Sequence, residues 1–342
     1  MNDKLLTIVV PTYNMERLLP KCLSSLIIED KEIFNLLEVL IVIDGATDSS
    51  SDIGHTYQDK YPEVFRVIDK ENGNYGSCVN RGLTESRGKY IKILDADDQF
   101  DNEVLKMVLS TVKDIDADMV LTNYTTIDEM GNALGEHNFM LPVETVLSAN
   151  VLTSDIGAHM AMHAVMYKAE NLKRIGYKQT EGISYTDQEW IYEPMTIVKT
   201  LYYINEPLYL YLVGREGQTM NLSALKKNMC QNLTVLASML KIYEKTSTDD
   251  TIFQYLKGRI ECFAESIYNR YLLNAKEFNL DELVDFDKKL KKYSQRLYEF
   301  TGNLKAGKLP FVKLWRLFYY TNDYGVNRFF AERKYRFGIG IK

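Results

Sequence analysis

The chain is poor in the features that mark secreted, membrane-spanning and nucleic-acid-binding proteins. Only four cysteines occur in 342 residues, Cys22, Cys78, Cys230 and Cys262, and they are widely spaced. Cys22 and Cys78 fall on expected helix faces among apolar neighbours, so buried free thiols fit better than disulfides or zinc ligands. That pattern suits the cytosol. No apolar run approaches the about 18 residues that read as a membrane span. The first residues, MNDKLLTIVVPTYN, enter a strand at once and carry no small-residue cleavage site, so no secretory signal is expected. The formal net charge of −6 excludes bulk nucleic-acid binding as a leading function. There is no internal repeat and no low-complexity segment.

What is present is an ordinary globular composition, 46% hydrophobic and 26% charged. The length allows one large domain or two of common size. Short β-branched runs alternate with helical periodicity through the first third. Leu6–Val10, Val39–Ile43, Phe65–Ile68, Tyr90–Leu94 and Met119–Thr122 read as buried strands. Between them, apolar residues recur at helical spacing: Leu19, Cys22, Leu23 and Leu26, then Tyr75, Cys78, Val79 and Leu83, then Val104, Leu105, Val108 and Leu109. This alternation predicts an α/β fold with a mostly parallel sheet covered by helices on both faces.

Beyond residue 124 the pattern loosens. Gly131-Asn132 predicts a turn between short strands. Residues 136–160 show no clear period, and residues 162–167 read as a further strand. Two Tyr-rich strands are expected around 201–204 and 208–212. From about Ser223 the character becomes helical, with apolar residues from Leu225 to Leu297 at helical spacing. The division expected is a domain over 1–216 and a helical region over 217–342.

The most informative stretch is Asp95-Ala96-Asp97-Asp98. Three carboxylates in four residues repel one another unless a cation or strong donors sit among them. They follow a buried strand, at the sheet edge where α/β folds bind ligands. A hard ion such as Mg²⁺ or Mn²⁺ takes oxygen ligands, usually one or two carboxylates together with substrate phosphates. A metal–diphosphate site is one reading, and an acidic turn opening a helix is the other. Three other strand ends carry polar groups toward the same edge: Pro11-Thr12-Tyr13-Asn14, Asp44-Gly45-Ala46-Thr47-Asp48, and Glu71-Asn72-Gly73-Asn74-Tyr75-Gly76. Each alone is common turn chemistry. Four in succession point to a site.

Taken together, "TIVVPTYN", "VLIVIDGATDSS", "ENGNYGSCVNRGL", "GKYIKILDADD" and "YTDQEW" resemble, in order and spacing, the family 2 glycosyltransferases of the GT-A fold. The resemblance covers roughly residues 5–215 and does not extend to residues 223–342. It implies a nucleotide-diphospho-sugar transferase with a Rossmann-like sheet. It places Pro11, Thr12, Tyr13 and Asn14 in the loop lining the nucleotide pocket. Asp44 matches the acid that accepts from the uracil ring, although Ile43 stands where the family usually has a second acid. Asn74 matches a loop beside base and diphosphate. Asp95, Ala96, Asp97 and Asp98 match the DxD-type motif, with Asp97 as principal metal ligand, Asp98 a second metal candidate, and Asp95 or Asp98 toward sugar or ribose. Asp187 matches the catalytic base of inverting members, with Thr186 in place of the usual Glu.

For Asp187 the plainer reading is a helix N-terminal acid, and the two are compatible. Trp190 reads either as a wall for an acceptor sugar or as a core residue on a helix face. His163 reads either as a phosphate or metal contact or as a structural group in an apolar run. For Arg215 and Gln218, in a Gly-rich turn, the resemblance implies a place near the diphosphate or acceptor, and a solvated Arg is the equal alternative.

From Lys305 to Lys342 there are nine Lys or Arg and two acids, interleaved with aromatics. Basic plus aromatic character suggests a peripheral membrane contact, and a last helix packed on its own domain or on a second subunit is the alternative. The expectation is an inverting UDP-sugar-dependent transferase, cytoplasmic or at the inner membrane face, acting on a glycan, lipid-linked or protein-linked acceptor. A homo-oligomer is compatible with it. Two other classes compete. A sugar-phosphate nucleotidyltransferase would carry a Gly-rich basic loop where this chain has "PTYNMERLLP". A non-catalytic nucleotide-sugar-binding module would not need the acids Asp95, Asp97, Asp98 and Asp187.

Overall fold

The structure, a computed structural model, describes residues 4–215, 222–273, 278–305 and 310–318. The chain divides into two compact units, residues 1–152 with 160–218, and residues 153–159 with 219–342. The first is an α/β unit. Its parallel half is built from β1 (Leu6–Thr12), β2 (Leu37–Asp44), β3 (Phe65–Lys70) and β4 (Tyr90–Ile93), in the order β3-β2-β1-β4. All eight residues of β2 are buried, which is why it reads as a continuous apolar run.

The sheet continues through β5 (Gln99–Phe100), β6 (Met119–Ile127), β7 (Ala133–His137), β8 (Val146–Ser148), β9 (Val165–Lys168) and β10 (Thr200–Leu212). β9 lies between β4 and β6 and runs antiparallel to both, whereas β6 and β10 are parallel. Thus the sheet is mixed, with a parallel majority. β5 pairs antiparallel with β10, through Phe100 opposite Tyr209. That short pairing lays the end of β10 over the acidic turn.

Helices join the strands: α1 (Leu19–Ser24), α2 (Lys31–Phe34), α3 (Ser50–Lys60), α4 (Asn74–Glu85), α5 (Asn102–Val112) and, farther along the chain, α7 (Ala169–Ile175). A short turn, α8 (Asp187–Trp190), precedes β10. α3 packs on β3, α4 on β1 and β2, and α5 on β10. Asp30 and Asp101 cap α2 and α5, their side chains accepting N–H groups of the first turn.

Two segments differ from the sequence expectation. The pair of strands expected around 201–204 and 208–212 is one strand, β10, whose register against β6 shifts on either side of Pro207. Proline lacks a ladder donor, and the irregularity there lets the strand continue past it. Residues 162–164 form a 3₁₀ turn, so the strand expected over 162–167 is confined to β9.

The second unit is helical: α6 (Ser154–His159), α9 (Leu222–Lys245), α10 (Phe253–Leu273), α11 (Leu280–Tyr293), α12 (Gln295–Gly302) and α13 (Phe311–Leu317). α6 belongs here because it crosses α10 with glycine on both sides. A Cβ on Gly157 would lie 2.2 Å from the Tyr255 carbonyl oxygen, and one on Gly258 would lie 1.9 Å from that of Ser154. Leu236, Leu240, Leu256, Ile260, Ile267 and Leu283 fill the interior. Within it, Arg316 donates through Nε to Asp287 Oδ2 at 2.8 Å, and Tyr268 Oη donates to Asp287 Oδ1 at 2.7 Å.

Phe311 and Trp315, two aromatics of the basic tail, are buried in this unit, while Leu317 and Phe318 are exposed. The remainder of that tail, residues 319–342, lies outside the described residues, as does Gln218. Among the described residues, no helix is long and apolar enough to cross a membrane.

Candidate active site

The acidic turn begins where β4 ends. The Leu94 N–H still donates to Val9 O at 2.9 Å, and Asp98 N–H then donates to Asp95 O at 2.9 Å, closing a tight turn. Each of the three carboxylates meets a different donor. Asp95 Oδ1 accepts from Tyr75 Oη at 2.7 Å. Asp98 accepts from Tyr209 Oη at 2.6 Å on Oδ2 and from the Leu212 N–H at 2.7 Å on Oδ1. Asp97 Oδ2 accepts from Arg215 Nε at 2.7 Å and Nη2 at 2.6 Å. Ala96 is buried between them.

Electrostatics follow from that arrangement. Burial and the Asp97 charge push Asp95 up to about 7. Burial, then Asp97 and Asp95, hold Asp98 well above the ordinary carboxylate range. Like charges in one desolvated turn do not all ionise together. Burial and the same acids raise Tyr75 and Tyr209 well above the ordinary phenol value, so both remain neutral donors.

Asp187 opens α8, and its Oδ2 accepts from Gln188 Nε2 at 2.8 Å. Its charge reaches Asp95, Tyr75 and Tyr211, so it shares the field of the acidic turn. Thr186, beside it, is fully buried. Tyr211 lies two residues beyond Tyr209 on β10, and therefore on the same face. It is half-buried, and burial followed by the charges of Asp98, Asp95, Asp97 and Asp187 raises it to about 12.

His163 stacks on Tyr211 with ring centroids 4.2 Å apart and meets Tyr209 edge-on at 4.6 Å. Burial and the Lys92 charge lower its pKa to about 3, which makes it a neutral imidazole. Its Nδ1 is buried and has no hydrogen-bond partner among the described residues. One ligand atom each from Asp95, Asp98 and His163 falls within 4.8 Å of the others. Two carboxylates and an orphaned neutral imidazole suit a divalent ion of the Mg²⁺ or Mn²⁺ kind, with imidazole favouring the latter. The donor set therefore fits an ion, though the grouping differs from the expected Asp97 and Asp98: Asp97 faces Arg215 instead.

The other strand ends form a second cluster. Asp44 is buried, and its Oδ1 accepts from Lys70 Nζ at 2.6 Å and from the Gly73 N–H at 2.9 Å. Lys70 also donates to Ser77 Oγ at 2.9 Å, and Ser77 Oγ donates to Asn74 O at 2.7 Å. Asn74, in the left-handed region at φ 65°, starts α4 and directs the next residue, Tyr75, to Asp95. Asn14 Oδ1 accepts from the Thr47 N–H at 2.8 Å and so ties the first loop to the second. Pro11 and Thr12 remain in β1 beside β2, while Tyr13 is 50% exposed at the rim.

Trp190 stands apart from these groups. It is fully buried, edge-on to Tyr167 at 5.0 Å, and it packs as a core residue. Sequence reasoning missed Lys70, Tyr209 and Tyr211, and it named Tyr75 only as part of the third strand end and the helix that follows. Lys70 had a readable signal, since it ends β3 in register with Asp44 at the end of β2.

A mixed sheet whose parallel strand ends gather a polar edge, an acidic turn and a further carboxylate is the architecture expected of the GT-A class. The glycosyl transferase family 2 model matches residues 7–192, and the chain belongs to that family. It is 26% identical over 246 residues to the uncharacterized glycosyltransferase YibD of Escherichia coli K12, covering 69% of this chain and 68% of that protein. Glycosyltransferase GlyG of Streptococcus pneumoniae is 26% identical over 222 residues, covering 61% of this chain and 71% of GlyG. Among solved structures, Staphylococcus aureus TarS 1–349 in complex with UDP-GlcNAc superposes with a TM-score of 0.70 at 19% identity, covering 98% of this chain and 92% of that one. The fold of this chain is thus GT-A, followed by a helical C-terminal region.

Proposed function

We propose that the protein is an inverting transferase that moves a sugar from a UDP-sugar to an acceptor hydroxyl, with Asp187 as general base. The observation that carries this reading is the shared field of Asp187 and the acidic turn. A base must lie close to where the leaving diphosphate is held, on the opposite side of the reacting carbon. The Asp187 carboxylate would accept the proton of the acceptor hydroxyl as its oxygen attacks the anomeric carbon. The C–O bond to the diphosphate breaks on the far face, through an oxocarbenium-like state. The neutral phenols of Tyr75 and Tyr209 hold Asp95 and Asp98 in place for the donor. A divalent ion bound by Asp95, Asp98 and His163, or by Asp97 once released, would neutralise charge on the departing UDP.

TarS, in its complex with UDP-GlcNAc, makes an N-acetylhexosamine donor the first to test. A surface polysaccharide, glycolipid or protein-linked glycan is the acceptor class we favour, with the enzyme in the cytoplasm or at the inner membrane face. The polar edge formed by the first three strand ends, from Pro11 to Asn74, would take the nucleoside. The α/β portion over 1–216 would carry catalysis, and the helical remainder acceptor choice.

A thermal-shift panel of nucleotides and nucleotide sugars, with and without Mn²⁺, tests the reading. Stabilisation by UDP or UDP-GlcNAc that requires Mn²⁺ is expected. Stabilisation by ATP alone, or by none of them, overturns it.

A further inference from the structure

Asp187 stands on α8, a single turn of four residues, and so short a helix does not hold itself in place. Two of its residues are tied down. Trp190 is buried against Tyr167, whose hydroxyl donates to the Trp190 carbonyl at 3.0 Å. Glu189, also buried, reaches the irregular segment 177–182: its Oε2 accepts the Thr180 N–H and its Oε1 the Thr180 hydroxyl, each at 2.7 Å. That segment lies on α4. Asn80 of α4 accepts the Gln179 N–H at 2.8 Å and donates to the Gln179 carbonyl at 2.9 Å. Just before α4, the Gly73 carbonyl accepts the Gly182 N–H at 2.9 Å. Gly76 allows the close approach, since a Cβ there would stand 2.2 Å from the Thr180 carbonyl oxygen. The first turn of α4 carries Tyr75, which holds Asp95. A continuous run of hydrogen bonds and close contacts thus joins Asp95 to the turn that carries Asp187.

We propose that Glu189 is a positioning residue for the transfer: by tying α8 to the segment seated on α4, it sets where the Asp187 carboxylate stands relative to the acids of the donor site. The proposal rests on the reading of Asp187 as general base. Segment 177–182 forms no helix or strand, so these few bonds fix its path. A buried carboxylate that accepts a backbone N–H and a hydroxyl from one residue fixes orientation as well as distance, and its charge strengthens both bonds. With both oxygens on Thr180, Glu189 acts through Asp187 and not on the substrate. Misplacing a reacting group by about 1 Å costs on the order of 10²-fold in rate, even when the change lies away from the chemistry.

The test uses the full-length chain with Mn²⁺. It reads UDP release from a panel of UDP-hexoses and UDP-N-acetylhexosamines, with water as acceptor, alongside UDP affinity by calorimetry. Glu189→Ala should lower turnover about 10²-fold and leave UDP affinity within about twofold of wild type. Glu189→Gln keeps an acceptor for the Thr180 N–H and should recover most of that loss. Added to Asp187→Asn, Glu189→Ala should cost at most about twofold more, because residues that act as one unit are not additive. A general loosening of the fold would instead lower turnover alike in both backgrounds. Full turnover by Glu189→Ala, an undiminished effect beside Asp187→Asn, or UDP affinity lost together with turnover refutes the positioning and leaves the base assignment standing. Should Asp187→Asn turn over as fast as wild type, or the wild type release UDP from none of the sugars, the base reading fails and takes the positioning with it.

Discussion

The Tyr209 hydroxyl joins two members of the acidic turn: it donates to Asp98 Oδ2 at 2.6 Å and accepts the Asp95 N–H at 3.1 Å. Tyr209 is fully buried, so neither partner turns to water when the hydroxyl is removed. Tyr209→Phe strands one backbone donor and half of the Asp98 carboxylate. A loss of about 1–3 kcal/mol in urea unfolding is expected. A variant as stable as wild type would mean that other donors serve both groups.

On the proposed mechanism, Asp187→Asn removes the proton acceptor but keeps the shape and the Gln188 neighbour. Turnover should fall by about 10²–10⁴, the usual worth of general-base assistance. UDP affinity by calorimetry should stay within about twofold of wild type, because the nucleotide does not need that carboxylate. Equal loss of binding and turnover would assign Asp187 to holding the donor.

The sheet and the acids were legible because both depend on short stretches of chain. A buried run such as Val39–Ile43 declares a strand, and acids directly after Tyr90–Leu94 declare a strand end. The phenols were not legible. In "LYLYL", Tyr209 and Tyr211 look like packing, and only the pairing of Phe100 with Tyr209 brings that strand end to the acids. His163 was ambiguous for a similar reason: whether its ring nitrogen is satisfied depends on Tyr211 and Tyr209, far along the chain. α6 carries too few residues for a period, and its place in the helical unit follows from Gly157 meeting a helix about a hundred residues on.

Asp95 gives the metal-free protein a pH signature. Its carboxyl titrates near 4 when unfolded and is pushed up to about 7 by burial and the Asp97 charge. Between those values the folded chain binds the proton that the unfolded chain has lost. Stability therefore falls as pH rises through that window. Asp95→Asn cannot titrate, so the wild-type melting temperature should decline relative to the variant between pH 4 and 7 in EDTA. Parallel pH curves for the two proteins would place the titration elsewhere.

Arg316 and Asp287 form a buried ion pair in the helical unit, with side-chain exposures of 8% and 0%. Arg316 also donates through Nη2 to Thr301 Oγ1 at 2.8 Å and stacks on Tyr298, its guanidinium carbon 3.6 Å from the ring centre. Arg316→Met leaves the Asp287 carboxylate buried with Tyr268 as its remaining described donor. A loss of about 3–5 kcal/mol is expected, read by chemical unfolding. Most of that loss comes from the stranded charge and not from a missing attraction, so removing the charge should reverse it. The double variant Arg316→Met with Asp287→Leu should recover a large part of the stability. If the double variant is no more stable than Arg316→Met alone, the stacking on Tyr298 and the bond to Thr301 carry the stability, and the ion pair does not.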